Sequence, residues 1–151
     1  MDLKENFDLI IKETELGSVI INVQLSGNPR ELALIRRIVH ASTSAISVSV
    51  SCLNDVKLAV TEACSNVIKH AFKYDTNRKF DLKFQISKRL LMVQICYEDK
   101  EFDPNKIPVP DLEKVQEGGL GVFIIRNVMD DVLYSKDSAT GKVILRMVKL
   151  F

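Results

Sequence analysis

The sequence predicts an α/β two-layer sandwich, in which a mixed, mostly antiparallel sheet packs against helices. Three observations point there. Residues 80–86 and 91–97 alternate apolar and polar side chains, as two arms of a hairpin do. Two stretches ahead of them place apolar residues at helical spacing. After a polar, proline-bearing stretch, an apolar helix and two terminal runs that suggest strands complete the order strand–helix–helix–hairpin–lid–helix–two strands.

Each element has a local cause. Phe7 to Lys12 reads as a short strand or an arm, and Ser18 to Leu25 (SVIINVQL) as a strand rich in β-branched residues. Asn28-Pro29-Arg30-Glu31 starts a helix: Asn28 caps free amides, Pro29 suits the first position and Glu31 supplies the acidic third residue. Leu32, Ile35 and Val39 then give it an apolar face as far as about Ser47. A second helix runs from after Ser51 to about Phe72, with Val56, Ala59, Val60, Ala63, Val67 and Ala71 toward the sheet.

In the hairpin, Phe80, Leu82, Phe84 and Ile86 share one face of the first arm and Leu91, Val93 and Ile95 one face of the second, joined across Ser87 to Leu90. From Glu98 to Glu117 the chain carries Pro104, Pro108 and Pro110 and no long element, which suits a lid or binding loop. A helix at about 120–129 and strands at 132–135 and 142–150, with a turn near Ser138–Gly141, close the chain.

The 151 residues read as an N-terminal arm or short strand (1–17) and one domain (18–151) with a lid at about 98–118. The net charge of +1 gives no bulk case for direct nucleic-acid binding. The N-terminal residues lack a continuous secretory core, and no apolar run approaches the roughly 20 residues that span a bilayer. Cys52, Cys64 and Cys96 form no CxxC pair and read as thiols in a reducing compartment. The expectation is a cytoplasmic protein without membrane contact.

Two short segments carry the chemistry. Glu62, Asn66 and His70 stand four residues apart, so a helix sets them at adjacent levels of nearly one side. Asn66 can give an amide oxygen to Mg²⁺ and Glu62 can accept a proton; the plainer reading of both is a solvated helix face. His70 suits capping or packing better than ligation of a hard ion. Gly118-Gly119-Leu120-Gly121 places three of six glycines just before an apolar helix. Missing β-carbons and the positive helix end favour phosphate, although the same glycines can simply end a loop. Neither a Walker A ending nor a full GxGxxG is present. Arg126 can face phosphate, a partner or a salt bridge.

Lys57–Phe72 (KLAVTEACSNVIKHAF) resembles the N-box helix of the anti-sigma-factor serine kinases, a branch of the GHKL ATPase superfamily. Glu117–Val132 (EGGLGVFIIRNVMDDV) resembles that branch's glycine-rich lid end and following helix, and Phe102-Asp103-Pro104 its FDP run. The similarity covers residues 18–150 and implies a GHKL, Bergerat-type fold holding ATP or ADP with Mg²⁺. It implies Glu62 as catalytic base, Asn66 as magnesium ligand, and backbone contacts from Gly118, Gly119 and Gly121 to the phosphates. It further implies a sigma factor and an anti-sigma-factor antagonist as partners, the antagonist's serine as phosphoryl acceptor, and a possible homodimer. The pattern departs at the adenine end. Tyr97 stands where relatives have an adenine-recognising Asp, and Asp99 where they have Gly. Gly141-Lys142 stands where they favour Gly-Thr. These departures imply an alternative, a regulatory binding module with reduced or absent nucleotide binding.

Overall fold

The computed structural model describes residues 10–13, 17–44, 48–107 and 120–151. Its elements are β1 (Ile10–Glu13), β2 (Val19–Ser26), α1 (Glu31–Ser44), α2 (Val50–Asn66), β3 (Lys79–Ile86), β4 (Leu90–Glu98), α3 (Leu120–Val128), β5 (Asp131–Lys136) and β6 (Lys142–Leu150). A π-helical turn, Val67–Ala71, follows α2 directly, and Pro104–Lys106 form a single 3₁₀ turn. The sheet has six strands in the order β1-β2-β3-β4-β6-β5. Each described pairing is antiparallel, where a mixed sheet had been expected. Short turns join neighbouring strands at β3–β4 and β5–β6, which favours antiparallel pairing without crossovers.

The period-2 pattern decides which face is covered. Phe80, Leu82, Phe84 and Ile86 of β3 and Leu91, Val93, Ile95 and Tyr97 of β4 are buried, as are Val143, Leu145 and Met147 of β6. They pack against Ile35 and Val39 of α1, Val56, Ala59, Val60, Ala63 and Cys64 of α2, and Ile125 of α3 in one cluster. Non-directional burial of this apolar area is the main favourable term holding helices to sheet.

The helix starts differ in detail from the sequence reading. Asn28 Oδ1 accepts from Arg30 N at 3.0 Å, but the helix itself begins at Glu31. The Glu31 carboxylate accepts from the Ser26 amide instead of closing a box on Asn28, tying the helix to the end of β2. Helix α2 begins at Val50, two residues earlier than expected, because Ser49 caps it: Ser49 Oγ accepts from Cys52 N at 3.1 Å. The last residues assigned to the first helix, 45–47, lie outside the described residues, as do 108–118 of the lid. No helix among the described residues is long and apolar enough to cross a membrane.

Candidate functional site

Helices α2 and α3 bring the two chemistry-bearing segments together at one point. A β-carbon placed on Gly121 would lie 3.0 Å from Asn66 Nδ2, 3.2 Å from Asn66 Oδ1 and 3.2 Å from Glu62 Oε2. A β-carbon there would press on both side chains and shift them by a few tenths of an ångström, so the glycine marks a close approach. Gly121 is the second residue of α3, where backbone N–H groups lack intrahelical partners and the helix end is positive. A carboxylate, an amide and a set of backbone donors therefore face one another across the seam of two helices. Glu62 and Asn66 are half-buried, so neither is spent in the core.

From this point a cavity of about 410 Å³ runs along the sheet, lined by Asn66, Gly121, Tyr97, Asp99, Phe102 and Tyr134 among others. Glu62 touches Gly121 but does not line the cavity. Its far end is aromatic. Tyr97 pairs with Val143 of β6, is 8% exposed, and sets its ring edge-on to Phe72 at 6.4 Å. Phe102 lies against Tyr134 with ring centroids 5.6 Å apart. Burial, with Tyr134 and Asp99 nearby, pushes the Tyr97 phenol well above its usual range. Burial pushes Tyr134 up to about 12, against the opposing influence of Arg126. Both phenols are therefore neutral at pH 7, offering hydroxyls without charge.

The Asp99 carboxylate accepts from Glu101 N at 3.1 Å, and its own amide donates to Gly141 O at 2.9 Å. The loop after β4 is held again by Lys136, whose Nζ donates to Lys100 O at 2.6 Å and Phe102 O at 2.7 Å. Glu98, the other acid in this segment, is exposed and pairs with Lys142, outside the cavity lining. Lys142 shares its side of the sheet, opposite buried Val143, so the Gly141-Lys142 departure does not reach the cavity.

The row of Glu62, Asn66 and His70 does not continue as one α-helical stripe. The helix widens after Asn66: Phe72 N donates to Val67 O at 2.9 Å, five residues back. A π turn takes more residues per revolution, so His70 falls short of the position one turn above Asn66. It is exposed on the cavity rim. Arg126 is exposed on the last turn of α3 and does not line the cavity. Gly118 and Gly119 lie outside the described residues.

The sequence reading overlooked Tyr134, Lys136 and Arg78. Tyr134 has the parity of a core-facing residue in its strand, but its approach to Phe102 depends on where β5 sits in the sheet. No local pattern marks the two others.

Comparison with known proteins adds a family and relatives. Residues 25–149 match the model of the histidine kinase-like ATPase domain. The protein named serine-protein kinase RsbW from Bacillus subtilis (strain 168) is 28% identical over 120 residues, 74% of this chain and 75% of the relative. The protein of the same name from Listeria innocua is 29% identical over 137 residues, 85% of this chain and 87% of the relative. That from Bacillus licheniformis is 26% identical over 126 residues, 78% of this chain and 79% of the relative.

Proposed function

The chain belongs to the histidine kinase-like ATPase domain family, and on that premise we propose that it is an ATP-dependent protein-serine kinase and anti-sigma factor. It phosphorylates a serine of an anti-sigma-factor antagonist and also sequesters a sigma factor. The site acts in the cytoplasm, in a chain that pairs as a homodimer. One observation carries this reading above the others: Gly121 packs so closely on Glu62 and Asn66 that a β-carbon there would press on the functional atoms of both.

The donor set fits a magnesium nucleotide. Asn66 Oδ1 and the nearby carboxylate are hard oxygen donors, the kind Mg²⁺ takes while it keeps waters and phosphate oxygens. When bound, Mg²⁺ with ATP supplies charge neutralisation and the transferable phosphoryl group. The remaining work falls to the chain. Asn66 holds the ion side of the nucleotide, and the first-turn amides of α3 donate to phosphate oxygens as negative charge builds up. The resemblance assigns phosphate contacts to Gly118 and Gly119 as well. Glu62 accepts the proton of the target serine hydroxyl, directly or through a short relay, while the oxygen attacks the γ-phosphorus. Tyr97 and Asp99 stand at the adenine end, with ADP remaining as product.

A second reading draws on Tyr97. A neutral, buried phenol occupies the position where the resemblance leads one to expect an ionised carboxylate. That favours a regulatory module that binds proteins and holds nucleotide weakly or not at all.

Titration of the wild type with ATP and ADP, with and without Mg²⁺, separates the two. The kinase requires binding that weakens without Mg²⁺ and in Asn66→Ala. It also requires phosphate transfer to serine of a cognate antagonist, lowered about 10²–10⁴-fold in Glu62→Gln, the usual contribution of a general base. Folded protein that binds neither nucleotide would sink the kinase and leave the regulatory module.

A further inference from the structure

The segment between α2 and β3 contains a side chain that, outside the cavity, joins the segments from which its two walls come. Arg78 Nη1 donates to Ala71 O, in the π-helical turn, at 2.9 Å. Its Nη2 donates to Glu98 O, at the end of β4. The guanidinium also lies over the Phe72 ring, 4.4 Å from the centroid, and Phe72 in turn stands edge-on to Tyr97. One wall of the cavity carries Asn66 and His70, the other Tyr97 and Asp99. A planar fork with fixed donors is suited to hold two carbonyls at a set separation while stacking on a ring.

The backbone around it explains why a latch is needed. Lys73 and Tyr74 have φ values of 50° and 65°, a region that residues with a β-carbon enter at a cost. The turn is closed by Tyr74 N to Ile68 O at 2.9 Å and Asp75 N to Phe72 O at 2.9 Å. Gly27 N donates to Arg78 O at 3.1 Å, and a β-carbon on Gly27 would overlap the Asp75 carbonyl. Strained residues persist where surrounding contacts over-determine them.

We propose that Arg78 is a positioning residue that latches the end of the α2 segment to the end of β4 and so sets the width of the base end of the cavity. For its ligand, the inference rests on the nucleotide site described above. The latch acts on the aromatic end alone, because its contacts fall on Ala71, Phe72 and Glu98 and none on Glu62, Asn66 or Gly121.

Arg78→Met and Arg78→Lys are to be compared with wild type by titration with Mg-ATP, adenosine and Mg-pyrophosphate, and by hydrogen exchange without ligand. Arg78→Met weakens Mg-ATP and adenosine about tenfold, through lost preorganisation, and leaves Mg-pyrophosphate within about twofold. Arg78→Lys recovers part of the loss, keeping charge over Phe72 and one of the two carbonyl bonds. In Arg78→Met the amides of Phe72, Tyr74 and Asp99 exchange faster while those of β3 do not. Parallel weakening of all three ligands in step with a lowered melting temperature overturns the latch, since a general stabiliser acts that way. Unchanged exchange at Phe72, Tyr74 and Asp99 overturns it as well. Should the wild type bind no nucleotide, the proposed kinase fails, while the exchange comparison still decides the latch.

Discussion

Glu62, Asn66 and Gly121 meet at one end of the cavity through polar atoms and a missing β-carbon, whereas Tyr97, Phe102 and Tyr134 meet at the other through ring faces and edges. The first group comes from two helices and is only half-buried; the second comes from strands and their connecting loop, with Tyr97 deep in the core. The two ends should therefore fail differently. At the polar end a change of shape misplaces the groups proposed to react while the core stays packed. At the aromatic end a change of volume removes core contacts before it alters any ligand.

Five substitutions test that division. The largest effect belongs to Tyr97→Ala, which empties a buried aromatic site and should cost about 3–5 kcal/mol in urea unfolding. Tyr97→Phe keeps the ring, so its stability stays within about 1.5 kcal/mol and any loss of adenosine affinity isolates the hydroxyl. If Tyr97→Ala unfolds no more easily than wild type, the aromatic end is not part of the core.

Gly121→Val comes next. Its side chain displaces Asn66 and Glu62, and misplacement of about 1 Å in a reacting constellation costs on the order of 10²-fold in rate. The proposed serine phosphorylation should fall by that much while the melting temperature shifts by only a few degrees. A large melting shift with unchanged activity would erase the contrast between the ends.

Tyr134 gives a pH test. Its folded value, about 12, lies above the usual 10, so the native state keeps its proton more tightly than the unfolded chain. The sign follows: this contribution is complete below pH 10 and is lost as pH rises through 12. Tyr134→Phe should remove about 2 kcal/mol of the alkaline decline between those values, measured by urea midpoints against pH. An unaltered decline would place the phenol in water. The smallest effect is Lys73→Gly, which relieves a positive φ and should raise stability by about 0.5–1 kcal/mol in the same assay. A loss of stability would show that the Lys73 side chain contributes more than its backbone costs.

Much of the scaffold could be read in advance because its signals are local. The alternation in 80–86 and 91–97 alone told which side chains go inward, and the α2 stripe matched the helix that packs on them. The pairing of Glu62 and Asn66 with Gly121 was written as two motifs whose meeting requires only that α2 and α3 be neighbours. The misses are non-local or conformational. A π turn after Asn66 arises from a hydrogen bond five residues back, which residue spacing does not reveal. The positive φ at Lys73 and Tyr74 carries no glycine to announce it. Tyr134 reaches the cavity only because β6 lies between β4 and β5. Glu31 looked like a partner for Asn28, yet the closer donor is Ser26 on the preceding strand.

Gly27 sits at the end of β2, absent from the cavity lining, with its backbone pressed to Asp75 and bonded to the carbonyl of Arg78. A methyl group there must move the 75–78 turn, and with it the guanidinium that bridges Ala71 and Glu98 beside the cavity. In a survey of natural variants, Gly27→Ala would be filed as a mild change at a distant strand end. Its phenotype would nevertheless be that of a ligand-site mutant, and distance from the ligand would be a misleading guide to which alleles of this protein are harmless.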